Sequence, residues 1–319
     1  MSAGPQRPRE RLVIGTRGSA LALAQAEMTA EALRAAVPGI LPERKIITTT
    51  GDRNASLALH EPTAEGAGLF TRQLEEALLE GAVDVAVHSL KDLPVKTPRG
   101  LVLAAILPRA PVADLLISRQ PGGLEGLREG AVVGSSSPRR TRLLLEKRPD
   151  LKVLPIRGNV PTRLAKVATK AVNDRGEVYD ATILAAAGLL RLGHAVETGV
   201  IASEGSELFC GELSWMLPAP GQGAVALEIR EGDPVAELLA MIHHAPTALC
   251  VEAERQLLLR LGGGCHMALG ALATPVDGGL SLEAVYFPDS PADSSSARRA
   301  EVLGSSPEEV STLAAARLL

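Results

Sequence analysis

Short apolar or β-branched runs alternate with helix-forming stretches along most of the chain, and this alternation constrains the fold more than any other feature. Leu12 to Thr16 reads as a buried strand, Ser19 as an N-cap, and Ala20 to Val37 as a helix ended by Pro38-Gly39. Ile46 to Thr50 reads as a strand, Leu69 to Glu80 as a helix and Val83 to Val87 as a buried strand. The polar, Gly-containing stretch Asp52 to Ala67 between them predicts a mobile loop. A second set begins near residue 113, with strands at Asp114 to Ser118, Ala131 to Gly134, Val153 to Ile156 and Ala181 to Ala185. Helices are opened there by Ser137-Pro138 and by Pro161, and Ala186 to Leu192 is helical. Such alternation predicts α/β architecture with two open sheets.

The texture changes after the strongest boundary signal, Pro218-Ala-Pro-Gly-Gln-Gly223, which leads into the strand Ala224 to Ile229. Beyond Pro246 one helix, Ala248 to Leu261, ends at Gly262-Gly263-Gly264. Strand-like segments at Ala268 to Thr274 and Leu280 to Phe287, a Ser-rich loop at Asp289 to Ser296 and a terminal helix predict a small α+β domain. No internal repeat is evident.

Composition narrows the function. Aromatics make up only 2% of a chain that is 46% hydrophobic, so the core rests on Leu, Val, Ile and Ala, and base-stacking platforms are disfavoured. With 33 Lys+Arg against 37 Asp+Glu the formal charge is -4, which argues against a general nucleic-acid binder. Cys210, Cys250 and Cys265 form neither a disulfide framework nor a metal-ligand spacing. The polar N-terminus carries no signal core, and no apolar run approaches the ~18 residues of a membrane span. A cytoplasmic protein without a membrane segment is the expectation. His243-His244 lack a third ligand at a useful spacing and read as structural, so no metal site is expected.

Three loops share one arrangement, in which a strand ends, a short loop follows, and a helix begins beside arginines. They are Gly15-Thr16-Arg17-Gly18-Ser19, Gly134 to Arg140, and Arg157-Gly158-Asn159-Val160-Pro161-Thr162-Arg163. Helix N-termini offer unpaired N–H groups and partial positive charge, and arginine adds a planar fork of donors that matches a carboxylate. From Arg139 to Lys166 there are nine basic residues against two acids, a basic patch on an acidic chain that suits a small polyanion. The plainer alternative is that Ser137 and Pro138 start a helix whose arginines face water. Asp92, in His88-Ser89-Leu90-Lys91-Asp92-Leu93-Pro94, is either a loop Asp capping backbone N–H groups or a carboxylate that stabilises a cation, with Lys91 beside it. Cys265, after three glycines, is either a buried thiol or a nucleophile on a flexible loop.

Taken in order, these segments resemble the porphobilinogen deaminase family. The likeness runs from about Leu12 to Gly270, through Thr16-Arg17-Gly18-Ser19-Ala20-Leu21-Ala22, Gly68-Leu69-Phe70-Thr71, Val87 to Pro94, Gly134 to Arg140, Arg157-Gly158-Asn159 with Arg163, Ala187-Gly188-Leu189, Pro220 to Ala224 and Gly263-Gly264-Cys265. Any one of these is weak; their order is specific. The resemblance implies two periplasmic-binding-protein-like α/β lobes with a small α+β C-terminal domain. The first lobe is expected over residues 11–107 and 221–243, the second over 108–220 and the third domain over 246–319.

The resemblance further implies a transferase, hydroxymethylbilane synthase, acting in porphyrin and heme biosynthesis. It would join four porphobilinogen molecules head to tail, each losing ammonia, and release the product with water. A dipyrromethane cofactor is implied in thioether linkage to Cys265, gripped by Lys91, Asp92, Ser137, Arg139, Arg140, Arg157 and Gly158. Asp92, Arg17 and Lys91 are implied in catalysis, and Arg17, Ser19, Phe70, Arg157, Arg163 and Gln222 in substrate binding. A monomer binding no nucleic acid is implied as well. Three departures stand out: Leu59 to Ala67 lacks the lysines common before Gly-Leu-Phe, His266-Met267-Ala268 follows the cysteine, and Pro138 stands where Leu is usual. The alternatives are a deaminase-like paralogue with lost activity and a non-catalytic binding protein for a polycarboxylate.

Overall fold

Apolar strands that are buried on both faces need helices on both sides, and the chain supplies them in two compact units. A computed structural model describes residues 11–48, 71–173, 175–264, 267–288 and 297–319. Among these, one unit takes the residues up to 108 together with 224–248, and the other takes 109–223 with 249–319. Phe70, Cys265, most of the Asp52 to Ala67 segment's neighbours and that segment itself, and the Ser-rich stretch Asp289 to Ser296 lie outside the described residues.

The first unit holds a five-stranded sheet built from β1 (Arg11–Thr16), β2 (Leu41–Ile46), β3 (Val85–Ser89), β4 (Leu101–Ile106) and β11 (Val225–Arg230). Their order is β2-β1-β3-β11-β4, with β1 parallel to β2 and β3, and β11 antiparallel to β3 and β4. Helix α1 (Ala20–Ala36) packs Ala26, Ala30 and Leu33 against Val85, Val87, Val225 and Leu227 on one face. Helix α2 (Arg72–Leu79) sets Leu74, Ala77 and Leu78 against Ala86 on the other. Alternate residues of β3 thus enter two different cores. Burying each such Leu or Val side chain contributes about 1.5–3 kcal/mol.

The second unit holds a six-stranded sheet in the order β7-β6-β8-β5-β10-β9. Its strands are β5 (Asp114–Ser118), β6 (Val132–Gly134), β7 (Lys152–Leu154), β8 (Ala181–Ala185), β9 (Val200–Ser203) and β10 (Ser206–Glu212). Strand β6 is parallel to β7 and β8, whereas β5 runs antiparallel to β8 and β10. Helices α3 (Pro138–Lys147), α4 (Val160–Ala168) and α5 (Ala186–Arg191) follow β6, β7 and β8. The α/β expectation is met in both sheets.

Helix α6 (Val235–Ala240) completes the first unit, and α7 (Ala245–Arg260) leads into a three-stranded antiparallel sheet. That sheet, β12 (Ala268–Val276), β13 (Gly279–Phe287) and β14 (Arg298–Gly304), is covered by α7 and by α8 (Pro307–Leu318) around its own core of Leu257, Leu269, Leu282 and Val310.

Several elements differ from the sequence expectation. Strand β2 starts at Leu41, and its Pro42 and charges are tolerated because it is an edge strand paired only with β1. Strands β4, β9, β10 and β14 and helix α6 have no counterpart in the sequence reading. Strands β4 and β9 are edge strands with mixed burial and give no clean alternation, whereas the edge strand β14 alternates in burial, with Ala300 and Val302 inward, but its exposed Leu303 blurs that pattern in the sequence. His243 and His244 serve the backbone: Nδ1 of His243 accepts from Ile106 N–H at 3.2 Å, and Nδ1 of His244 accepts from Thr247 N–H at 3.3 Å. Among the described residues no helix is long and apolar enough to cross a membrane.

Candidate functional site

The anion-suited loops fall at the carboxyl edges of the two sheets, where open α/β sheets hold their ligands. In the first unit β1 and β3 are parallel neighbours, so the loop after Thr16 and the turn after Ser89 share one edge. Ser19 caps α1, its Oγ accepting from Ala22 N–H at 3.3 Å, and the buried Thr16 donates from Oγ1 to Ala22 O at 3.0 Å. Arg17, half-buried, lies in the loop between.

The turn after β3 is a single 3-10 turn, Leu90–Asp92. Leu90, 1% exposed, plugs it into the core, and Leu90 N–H donates to Ala224 O at 3.1 Å. Lys91 is half-buried and Asp92 is exposed. The strand end beneath them is tied on both faces. Gln25 Nε2 of α1 donates to Ser89 Oγ at 2.8 Å, and His88 Nε2 lies 3.1 Å from Glu228 Oε2 of β11.

In the second unit the carboxyl ends of β6, β7 and β8 share an edge, and the antiparallel β5 brings its first residue, Asp114, to the same place opposite Ala185. The loop of Ser135, Ser136 and Ser137 is laced to the next strand. Ser135 N–H donates to Leu154 O at 2.9 Å, and Ser136 Oγ donates to Ile156 O at 3.0 Å. Ser137 Oγ caps α3 by accepting from Arg140 N–H at 3.4 Å, and Pro138 occupies the first turn without losing a hydrogen bond.

Arg139 and Arg140, in that first turn, are buried and point inward. Arg139 Nη1 pairs with Asp114 Oδ2 at 2.8 Å and donates to Leu217 O at 2.6 Å. Arg140 Nη2 donates to Asp114 Oδ1 at 2.7 Å and Nη1 to Ile183 O at 2.8 Å. Gln222, fully buried, donates from Nε2 to the same Asp114 Oδ1 at 3.0 Å and to Val112 O at 2.7 Å. Gln222 therefore orients Asp114, with its amide hydrogens directed at protein oxygens. Two guanidinium groups against one carboxylate leave a net positive charge inside the protein. Burial lowers the Arg139 proton affinity from its ordinary value, and the Asp114 charge opposes that shift. Among the described residues, neither Arg139 Nε nor Arg140 Nε has a hydrogen-bond partner. A cluster with surplus charge and spare donors fits a carboxylate-bearing group.

The neighbouring loop presents Arg157 and Gly158 exposed and Arg163 half-buried. Gly158 has φ +110°, and a Cβ there would meet Thr162 Cγ2 at 2.6 Å. Asn159 caps α4, its Oδ1 accepting from Thr162 N–H at 3.0 Å, while Arg163 Nε donates to Gly158 O at 2.8 Å. A recess of about 330 Å³ lies at the opposite, amino edge of this sheet. Its charges are spent on one another, with Arg128 on Asp180 at 2.9 Å and Lys152 on Glu177 at 3.1 Å, so it is no rival site for a carboxylate ligand.

Sequence reasoning missed Asp114, Glu228 and Glu254. Glu254, buried, receives Arg109 Nη1 and Nη2 at 2.7 and 2.9 Å, Gly221 N–H at 2.7 Å and Ala273 N–H at 2.9 Å, and so fixes the Gly221 loop. The available signal was an isolated acid in an apolar strand or helix face, for Asp114 in Asp-Leu-Leu-Ile and for Glu228 in Val-Ala-Leu-Glu-Ile.

Two family models match the chain. Residues 12–237 match the porphobilinogen deaminase dipyromethane cofactor binding domain, and residues 248–319 match the porphobilinogen deaminase C-terminal domain. The chain is 49% identical over 278 residues to a porphobilinogen deaminase of Desulforudis audaxviator, covering 87% of this chain and 84% of that one. It is 46% identical over 310 residues to that of Rubrobacter xylanophilus, covering 97% and 94%. The protein of the same name from Thermus thermophilus is 44% identical over 295 residues, covering 92% and 89%. With both family models spanning nearly the whole chain and the arginine loops in family order at the sheet edges, the chain belongs to the porphobilinogen deaminase family.

Proposed function

We propose that this chain is a hydroxymethylbilane synthase that condenses four porphobilinogen molecules head to tail, with loss of ammonia, and releases the linear tetrapyrrole by hydrolysis. The observation that carries the proposal is the buried Arg139–Asp114–Arg140 cluster, with its surplus positive charge, within a segment matching the dipyromethane cofactor binding domain. When bound through a thioether to Cys265, a dipyrromethane supplies the primer on which the chain grows.

The candidate residues of each unit take these roles. Arg139 and Arg140 provide the positive field for ligand carboxylates, Arg157 and Arg163 the exposed and half-exposed forks, and Ser137 with the Gly158 backbone the neutral donors. Lys91 and Asp92 stand on a single 3-10 turn; Asp92 stabilises positive charge at pyrrole nitrogen and relays protons, and Lys91 assists in holding carboxylates. Arg17 orients the incoming substrate beside Ser19, with Phe70 against the ring system. Gln222 acts through Asp114. Covalent tethering retains the intermediates between additions. The two described cysteines are poor attachment points, because burial pushes the Cys210 thiol up to about 11 and also raises Cys250. A cytoplasmic monomer with three domains, at 11–107 with 221–243, 108–220 and 246–319, completes the proposal.

Intact mass under denaturing conditions, recorded before and after adding porphobilinogen, tests it. A mass excess equal to a dipyrromethane, followed by a ladder of further pyrrole units, is the expected result. A chain of 33.2 kDa that stays unmodified would point instead to a non-catalytic binding protein or an inactive paralogue.

A further inference from the structure

The last two residues of β3 before the Lys91–Asp92 turn are polar, and each is tied to a buried partner on a different face of the sheet. Ser89 meets Gln25 of α1. His88, 6% exposed, meets Glu228, 1% exposed, in the sheet face covered by α2. In the antiparallel register His88 stands opposite Ala226, so Glu228 is its diagonal neighbour, within reach of a long side chain.

This pair is an odd choice for a core. Ala86, two residues earlier on the same face, is packed among Leu74, Leu78 and Leu101, and a buried polar pair in such surroundings rarely adds stability over apolar residues of similar size. A third ionisable group closes the cluster. Burial holds the Glu75 carboxyl of α2 above its ordinary value, with Thr71 opposing and Glu228 adding to the shift. What a directional hydrogen bond offers and apolar packing does not is a fixed position for the backbone that carries it. The residues after His88 are Ser89, Leu90, Lys91 and Asp92, with Leu90 N–H held by Ala224 O two residues from the β11 partner of His88.

We propose that Glu228, acting through His88, is a positioning residue for the Lys91–Asp92 turn, holding the end of β3 in register so that the Asp92 carboxylate meets the reacting pyrrole. The inference rests on the proposed role of Asp92. The pair touches neither substrate nor cofactor; it preorganises the groups that do. Displacement of a catalytic group by about 1 Å can lower turnover roughly a hundredfold, so a supporting bond of this kind has leverage far beyond its own stability.

The test uses the cofactor-loaded enzyme and compares the parent with Glu228→Met/His88→Leu, Glu228→Gln and Asp92→Asn. Thermal unfolding, intact mass, kcat and KM are measured for each. The double variant exchanges the polar pair for apolar groups of similar bulk. It is expected to fold with a melting temperature at or above the parent's, to keep its cofactor, and to lose kcat by about ten- to a hundredfold with KM within about twofold. A folded, loaded double variant with kcat within about twofold of the parent overturns the proposal. Should that variant not fold, Glu228→Gln decides by the same split, a fall in kcat at unchanged KM supporting the proposal and an unchanged kcat overturning it. Asp92→Asn separates the two layers. Near-parent turnover there removes the role of Asp92 itself, whereas an inactive Asp92→Asn beside a fully active double variant removes only the positioning role.

Discussion

Arg140 turns inward from the first turn of its own helix and donates Nη2 to Asp114 Oδ1 at 2.7 Å, so the basic helix start is anchored to the acid that opens β5. Arg139 takes the other oxygen at 2.8 Å. The arrangement explains how two arginines survive at 3% and 7% exposure, and why their charge remains available to an anion: one carboxylate cannot balance both.

Removing Asp114 leaves two buried guanidinium groups unpaired. Asp114→Ala is expected to lower stability by about 3–5 kcal/mol in chemical denaturation, and to yield protein with less bound cofactor by intact mass. A stability loss under about 1 kcal/mol would mean that the arginines find other partners.

Asp92 is exposed at the end of a single 3-10 turn and bears little of the fold. Asp92→Asn is expected to fold normally, keep its cofactor and lose most of its turnover. Steady-state kinetics checks this, and near-normal rates would take the proton-handling role away from Asp92.

Thiol chemistry separates the three cysteines. At neutral pH Cys210, pushed up to about 11 by burial, is held as the unreactive thiol, and Cys250 is shifted in the same direction. Cys210→Ser and Cys250→Ala are expected to carry the covalent cofactor, and Cys265→Ser is expected to lack it. An adduct persisting on Cys265→Ser moves the attachment elsewhere.

Glu75 predicts a pH effect of definite sign. Burial raises its carboxyl in the folded protein above the ordinary 4.5, so folding favours the protonated form. The associated stability is complete below the unfolded value and is lost as pH rises through the folded one. Glu75→Gln, neutral throughout, is expected to raise the melting temperature relative to the parent near pH 8 and to lose that advantage near pH 4. An advantage that does not change between the two pH values would trace to packing.

Gly158 sits at φ +110° with Thr162 where a side chain would go. Gly158→Ala is expected to lower stability by about 1–3 kcal/mol and to weaken cofactor retention, because the loop must move away from the Asn159 cap to accept a Cβ. Denaturant titration with intact mass reads both effects.

What the sequence by itself determined is everything that depends on neighbours along the chain. Apolar runs alternating with helix formers set the α/β class. Ser19 and Ser137 were legible as caps because a cap bonds a backbone group two or three residues away, and Pro138 was legible as a first-turn residue because its fixed φ suits that place. The order of the arginine loops with Asp92 carried the family. What only the tertiary structure decided is where buried charges find their counter-charges. Asp114 lies 26 residues from Arg140 and 108 from Gln222, and Glu228 lies 140 from His88. Edge strands such as β2 were illegible for a related reason: with one side unpaired, and Leu41 and Ile46 exposed, they are defined by the partner strand rather than by their own pattern. A buried charge is stable only when a partner of opposite sign or a set of donors meets it in space, and that meeting is a property of the fold.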